Sequence, residues 1–210
     1  MRVLVLCDDY YHPAKVVRDG LGSMKDECFS FDFIDNANDW SAERMAQYPV
    51  VILSKSDSIS QTDQHSWMSA ETQQAFVDYV RQGKGLLAIH SGTAGYKEKT
   101  ALRKLLGGVF DQHPAQCPVT VEPDLNHPLA AGSAPFTVKD EHYFMLMDRE
   151  DLNVFMISKS EHGQQPAGWT RTEGEGRVCV LTPGHNLEVW TQPAFQAVIK
   201  NALNWCSKEA

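Results

Sequence analysis

The chain has 210 residues, 42% of them hydrophobic and 22% charged, enough to bury a full core in one domain spanning 1–210. Its formal net charge is −8 and its positive residues are scattered, so it lacks the basic stripe that would make nucleic acid an expected partner. No apolar run is long enough to cross a bilayer, and the opening strand-like segment meets Cys7-Asp8-Asp9 too soon for a signal peptide, so a cytoplasmic protein with no membrane partner is expected.

In chain order, Arg2–Leu6 reads as a strand and Pro13 opens a helix that runs to about Met24. Residues 29–34 alternate apolar and polar side chains and predict a second strand. Ser41 caps a short helix to about Gln47, and Val50–Leu53 is an apolar strand of the buried type. A polar loop from Ser54 to Ser66 leads to a helix over Ala70–Arg81, with Ser69 as its cap and Gly83 as its stop. The run 86–89 is apolar without alternation, and Gly92 and Gly95 break it. A helix over Thr100–Leu106 then closes at Gly107-Gly108. The alternation predicts an α/β fold with a mostly parallel central sheet flanked by helices, flavodoxin-like in its layering.

Residues 117–160 change character. Short strands at 119–121, 136–138 and 154–157 are separated by Pro and Gly, which predicts a small β meander added to the main sheet. A segment at 168–171, a Thr-Glu-Gly-Glu-Gly turn, a strand at 177–181 and a helix from Pro193 to about Trp205 complete the chain. The cysteines, Cys7, Cys28, Cys117, Cys179 and Cys206, are odd in number and show no C-x-x-C spacing, so they are read as reduced packing residues.

Open α/β sheets bind ligands beyond the carboxyl ends of their strands. Those ends carry Asp8, Asp9 and His12, then Ser54 and Lys55, then His90, and finally His185. The stretch GLLAIHSGTAG at 85–95 places His90 on a sharp strand-to-helix turn, where other α/β enzymes lift a nucleophile from the sheet. Asp140-Glu141-His142-Tyr143 offers a carboxylate to the same rim.

His90, His185 and Glu141 fit two chemistries. Two histidines and a glutamate make a catalytic zinc set with a position left for water or substrate. The same groups, without metal, can accept and donate a proton near neutral pH. Glu141 is equally compatible with a structural pairing to Arg177, and Asp8 and Asp9 are read as caps for the helix at Pro13. Ser91 and Gly92 in the turn, with Tyr143 and Trp190, are the expected substrate contacts, Trp190 by offering a flat face to a pyranose ring, while His113 and His127 each precede a proline and suit turns. Tyr10 is a further aromatic near the rim. A divalent metal, zinc, is the cofactor considered, and no nucleotide cofactor is expected.

The phrases GLLAIHSG, DEHY, WTRTEGEGRVCVLTPGHNLEVW and PAFQAVIKNALNW resemble the trehalose-utilisation (ThuA-like) family, a branch of the class I glutamine-amidotransferase-like fold. The resemblance runs over nearly the whole chain and is most specific in the C-terminal G-x-G-R-V … P-G-H … W … N-A-x-x-W pattern, while LGGVFDQHP and NHP add further matches, the first of which implies His113 as a substrate contact. It implies that His90 stands where the amidotransferases carry a nucleophilic cysteine, and that His185 matches the histidine that activates it. Glutaminase activity, which needs that sulfur, is then not expected. The resemblance also implies a role in the metabolism of trehalose and related sugars: an enzyme of the sugar isomerase or hydrolase type, acting on a disaccharide or keto-sugar by acid–base or metal-assisted chemistry. The alternative is a non-catalytic sugar-binding or accessory subunit. The partners expected are a small-molecule carbohydrate and further copies of the chain in a homo-oligomer.

Overall fold

The apolar runs at 3–6, 50–53 and 86–89 are almost wholly buried, as strands are when helices cover both faces of a sheet. In the computed structural model, which describes residues 1–24, 28–149 and 151–208, these runs belong to an alternating first half. It comprises β1 (Arg2–Leu6), α1 (Ala14–Gly22), β2 (Ser30–Ile34), α2 (Ala42–Ala46), β3 (Val50–Leu53), α3 (Ala70–Arg81), β4 (Gly85–Ile89) and α4 (Thr100–Leu106). The second half is richer in strands: β5 (Gly108–Gln112), β6 (Cys117–Pro123), β7 (Phe136–Asp140), β8 (Phe144–Met147), β9 (Asn153–Ser160), β10 (Gly163–Glu173) and β11 (Gly176–Leu181). The helices α5 (Leu187–Trp190) and α6 (Pro193–Ser207) follow.

Nine strands form one sheet in the order β2-β1-β3-β4-β11-β10-β9-β6-β7. From β2 to β11 every pairing is parallel. From β11 to β7 every pairing is antiparallel, and β5 and β8 form a separate antiparallel ribbon. The expectation of a mostly parallel sheet is therefore corrected: the sheet is mixed, with four parallel and four antiparallel pairings, and the separate ribbon adds a fifth antiparallel one. The cause lies at 174, where Gly174 adopts φ +56° and turns β10 straight into β11 as a hairpin. No helix intervenes there to carry the chain back for parallel pairing.

The small meander at 117–160 is corrected as well. A meander keeps strands in sequence order, but here β6 lies between β7 and β9, and β9 joins the whole group to the main sheet through β10. Inside the same stretch, β8 leaves to pair with β5.

Alternate residues of β1 face opposite layers, Val3 and Val5 one way, Leu4 and Leu6 the other. On the first side lie residues of α1, α5 and α6, including Trp190, Phe195 and Val198; on the second lie those of α3 and α4, including Phe76, Val80 and Leu102. The Ser69 hydroxyl accepts from the Thr72 N–H at 3.1 Å, and Ser41 caps α2 through the Arg44 N–H at 3.2 Å. Ser69→Ala is expected to lower stability by about 1 kcal/mol, read as a shifted urea midpoint with an unchanged slope. Cys7, Cys117, Cys179 and Cys206 are buried free thiols. Among the described residues, no helix is long and apolar enough to cross a membrane.

Candidate functional site

At the end of β4 the chain turns at once into a single 3-10 turn over residues 90–93, and His90 takes φ +48°, a region that non-glycine residues seldom occupy. Gly92 permits this turn: a Cβ there would stand 1.9 Å from the Leu53 carbonyl oxygen. The His90 ring is buried, with Nδ1 at 2.8 Å from the Thr182 carbonyl oxygen. A carbonyl can only accept, so Nδ1 carries a proton, and in the neutral ring Nε2 presents a lone pair. Tyr143 stacks on the ring, centroids 4.1 Å apart and planes 24° apart.

His185 lies on the loop that leaves β11. Two consecutive N–H groups of that loop, Gly184 and His185, donate to the buried Asp140 carboxylate at 2.9 and 3.0 Å. Burial raises the Asp140 carboxyl above its ordinary pKa, although the neighbouring His90 and these N–H donors act the other way. Beneath the loop, the Trp190 indole N–H donates to the Gly184 carbonyl at 2.8 Å. Trp190 is fully buried, so its expected role as a sugar-facing surface is corrected to that of a support for the His185 loop.

Glu141 projects between the histidines. Its Oε2 is 3.2 Å from His185 Nδ1 and 3.4 Å from His90 Nε2, and its Oε1 is 3.5 Å from His113 Nε2. Burial disfavours the carboxylate, but His185 and His90 outweigh it and hold Glu141 well below the usual carboxylate range. Glu141 in turn raises the pKa of His185. The alternative pairing with Arg177 is not made: Arg177 donates to the Trp205 carbonyl at 2.7 Å and lies over the Trp205 ring.

The fourth member, His12, comes from the loop after β1. Asp8, at φ +72°, caps α1 by accepting from the Ala14 N–H at 3.0 Å, as expected, and its carbonyl accepts from the buried Lys55 ammonium. Asp9 departs from the capping expectation. Its Oδ1 lies 2.7 Å from His12 Nδ1 and also accepts from the Tyr11 and His12 N–H groups, while Oδ2 accepts from the Ser56 N–H at 2.9 Å. The carboxylate fixes the His12 tautomer and aims Nε2 at the cluster, as carboxylates do for metal-binding histidines. Burial lowers the pKa of His12 despite this partner.

One ligand atom each from His12, His90, Glu141 and His185 lies within 4.8 Å of the others. Although buried, His12 Nε2, His90 Nε2 and His185 Nδ1 have no hydrogen-bond partner. Leaving one such atom unpaired costs about 1–3 kcal/mol, so three converging on one point call for a common partner. Three imidazoles and a carboxylate are suitable donors for a first-row divalent cation. If Asp9 orients a ligand, Asp9→Asn is expected to weaken divalent-ion affinity about 10–100-fold with the fold retained, as measured by competition with a chromophoric chelator.

The cluster opens on a cleft of about 650 Å³ whose lining includes Tyr10, Tyr11, His12, His113, Tyr143 and Glu141. Of the expected substrate contacts, Tyr143 and His113 line this cleft. Ser91 and Gly92 do not line the cleft: both are buried, and Gly92 backs onto β3. Tyr11 was not anticipated, and His12 was placed on the rim without a chemical role. A second cavity, about 800 Å³, is lined by charged side chains that include ion pairs of Arg103 with Asp148 and of both Arg81 and Arg171 with Glu173.

A family model described as trehalose utilisation (ThuA) matches residues 2–206. A ThuA-like protein from Parabacteroides merdae is similar in structure, with TM-score 0.77 and 16% identity over 99% of this chain and 90% of that one. A second ThuA-like protein, from Bacteroides uniformis, gives TM-score 0.75 and 20% identity over 98% and 91% of the two chains. The β-galactosidase of Rahnella sp. R3 contains a similar fold, with TM-score 0.68 and 16% identity over 99% of this chain and 31% of that one. No curated protein matches the chain. At these identities the structural likenesses show the fold alone.

Proposed function

Because this chain belongs to the trehalose-utilisation family, we propose that its cleft processes a carbohydrate, a disaccharide or keto-sugar, by isomerase- or hydrolase-type chemistry. One observation carries this reading: three buried imidazole nitrogens without partners face the Glu141 carboxylate. His90 directs its Nδ1–H to Thr182, so in the neutral ring the Nε2 lone pair meets Glu141 Oε2 at 3.4 Å. A lone pair against a carboxylate is unfavourable unless a proton or a metal ion stands between them, and the lack of a hydrogen bond at 3.4 Å favours the metal. A divalent ion held there would polarise a substrate oxygen as a Lewis acid.

The remaining roles belong to the chain itself. Asp9 and the Thr182 carbonyl orient His12 and His90, and Asp140 fixes the loop that carries His185. Tyr143 covers one face of His90 and excludes water from it. His113 directs Nδ1 to the Pro114 carbonyl at 2.7 Å and presents Nε2 on the cleft side of Glu141, where it can move a proton at a substrate oxygen. The exposed faces of Tyr10 and Tyr11 at the rim suit the apolar face of a sugar ring. The 3.2 Å contact of His185 with Glu141 favours a second reading, a metal-free acid–base pair at the same site. Buried free thiols fit the reducing cytoplasm.

Glutamine is not expected to be a substrate, since His90 and not a cysteine occupies the strained turn after β4. Purified protein should release no ammonia from glutamine, and release that disappears on changing one cysteine would contradict this. The broader test is a panel of disaccharides and their keto derivatives followed by mass. Turnover by the wild type and none by the His90→Ala, His185→Ala double variant is the expected result. Saturable binding without turnover of any member would instead indicate the accessory, sugar-binding role.

A further inference from the structure

Four protein ligands fill a tetrahedron, so a tetrahedral zinc held by His12, His90, His185 and Glu141 would leave no place for a substrate. Yet the cluster is not sealed. His12, Glu141 and His185 line the cleft of about 650 Å³, while His90 is buried behind them. An ion that binds four side chains and still meets a ligand from this cleft must accept more than four donors.

Glu141 counts as one donor. Its Oε2 lies 3.2 and 3.4 Å from two imidazole nitrogens without hydrogen-bond alignment, longer than the ~2.7–2.9 Å of a charged N–H···O bond. Ligand atoms ~2.1 Å from a shared ion stand ~3.0–3.4 Å from one another, so this is the spacing of co-ligands. Oε1 is turned instead toward His113. The donor set contains no thiolate, which removes the preference for a soft, four-coordinate ion.

We infer that the cluster is a centre for a six-coordinate divalent ion of the manganese, iron, cobalt or nickel kind, whose two remaining positions face the cleft and chelate two neighbouring oxygens of the sugar. The oxygens would be a carbonyl and its adjacent hydroxyl, or two vicinal hydroxyls. This rests on the metal-assisted reading above and extends it to the class of ion and to the chelating pair that the substrate must carry.

Cobalt(II) added to chelator-stripped protein tests it without any need for turnover. Tetrahedral cobalt absorbs intensely in the visible because its site has no inversion centre, whereas six-coordinate cobalt absorbs weakly. The expected result is one cobalt per chain with weak bands that shift on adding hydroxyacetone and do not shift with acetone, which lacks the second oxygen. His12→Gln and Glu141→Gln, each checked for folding by circular dichroism, should lose that stoichiometric binding. Intense tetrahedral bands, cobalt retained in folded Glu141→Gln, or equal responses to the two ketones would overturn the inference while leaving a metal-assisted reaction standing. Failure of folded wild-type protein to bind cobalt would overturn both.

Discussion

His90→Ala is expected to abolish stoichiometric divalent-ion binding and sugar turnover together, while the protein remains folded. His90 supplies the most buried nitrogen of the cluster, with its Nδ1 anchored to Thr182 and its ring clamped by Tyr143. The substitution leaves the Thr182 carbonyl without its donor and opens space under Tyr143, at a cost of roughly 2–3 kcal/mol. That is tolerable for a sheet whose central strands, β1, β3, β4 and β11, are buried on both faces, and corresponds to a fall in Tm of ~4–12 °C. Metal analysis, a thermal melt and the sugar panel on the same preparation check the three parts. An ion retained at one per chain in His90→Ala would contradict the assignment.

Gly92→Ala is expected to be the more destabilising change, although it removes no functional group. The added methyl would stand 1.9 Å from the Leu53 carbonyl oxygen and 2.8 Å from its carbon, and β3 is buried and cannot move aside. Overpacking of this kind costs ~1–3 kcal/mol where neighbours can yield, and backbone cannot, so a loss at or above the upper end is expected. The turn that holds His90 would shift with it, so residual folded protein should also bind the ion less tightly. A wild-type melting curve for Gly92→Ala would mean that the turn after β4 does not approach β3 as described.

The parallel half of the sheet was legible because its signals are local. Uninterrupted apolar runs mark β3 and β4, and Ser41 and Ser69 mark helix starts that their hydroxyls do cap. The antiparallel half was not, because its pairing is decided between distant segments. Strand β10 contains Pro166 and Gly168, which read as breakers, but bulges at those positions absorb both residues and let an 11-residue strand run on. The ribbon of β5 with β8 depends on a partner far away in sequence.

Within the site, the strand ends led to His90 and His185, and the DEHY phrase to Glu141. His12 lacked a role because Asp8-Asp9 before a proline reads as a helix cap; the structure divides the pair, Asp8 capping and Asp9 orienting His12. Asp9 and His12, three residues apart, were the available signal. Trp190 was misplaced because sequence distance from His185 does not tell which side of a loop a ring occupies. It packs against α1 at Gly20, where a Cβ would lie 2.4 Å from the Trp190 Cβ.

The measurement that bears most directly on an ion-dependent sugar enzyme is turnover by chelator-stripped protein before and after one equivalent of manganese or cobalt, using whichever sugar responds in the panel. The account predicts no detectable turnover before addition, recovery after it, and no recovery in His12→Ala. Full turnover by protein shown to contain no metal would contradict it.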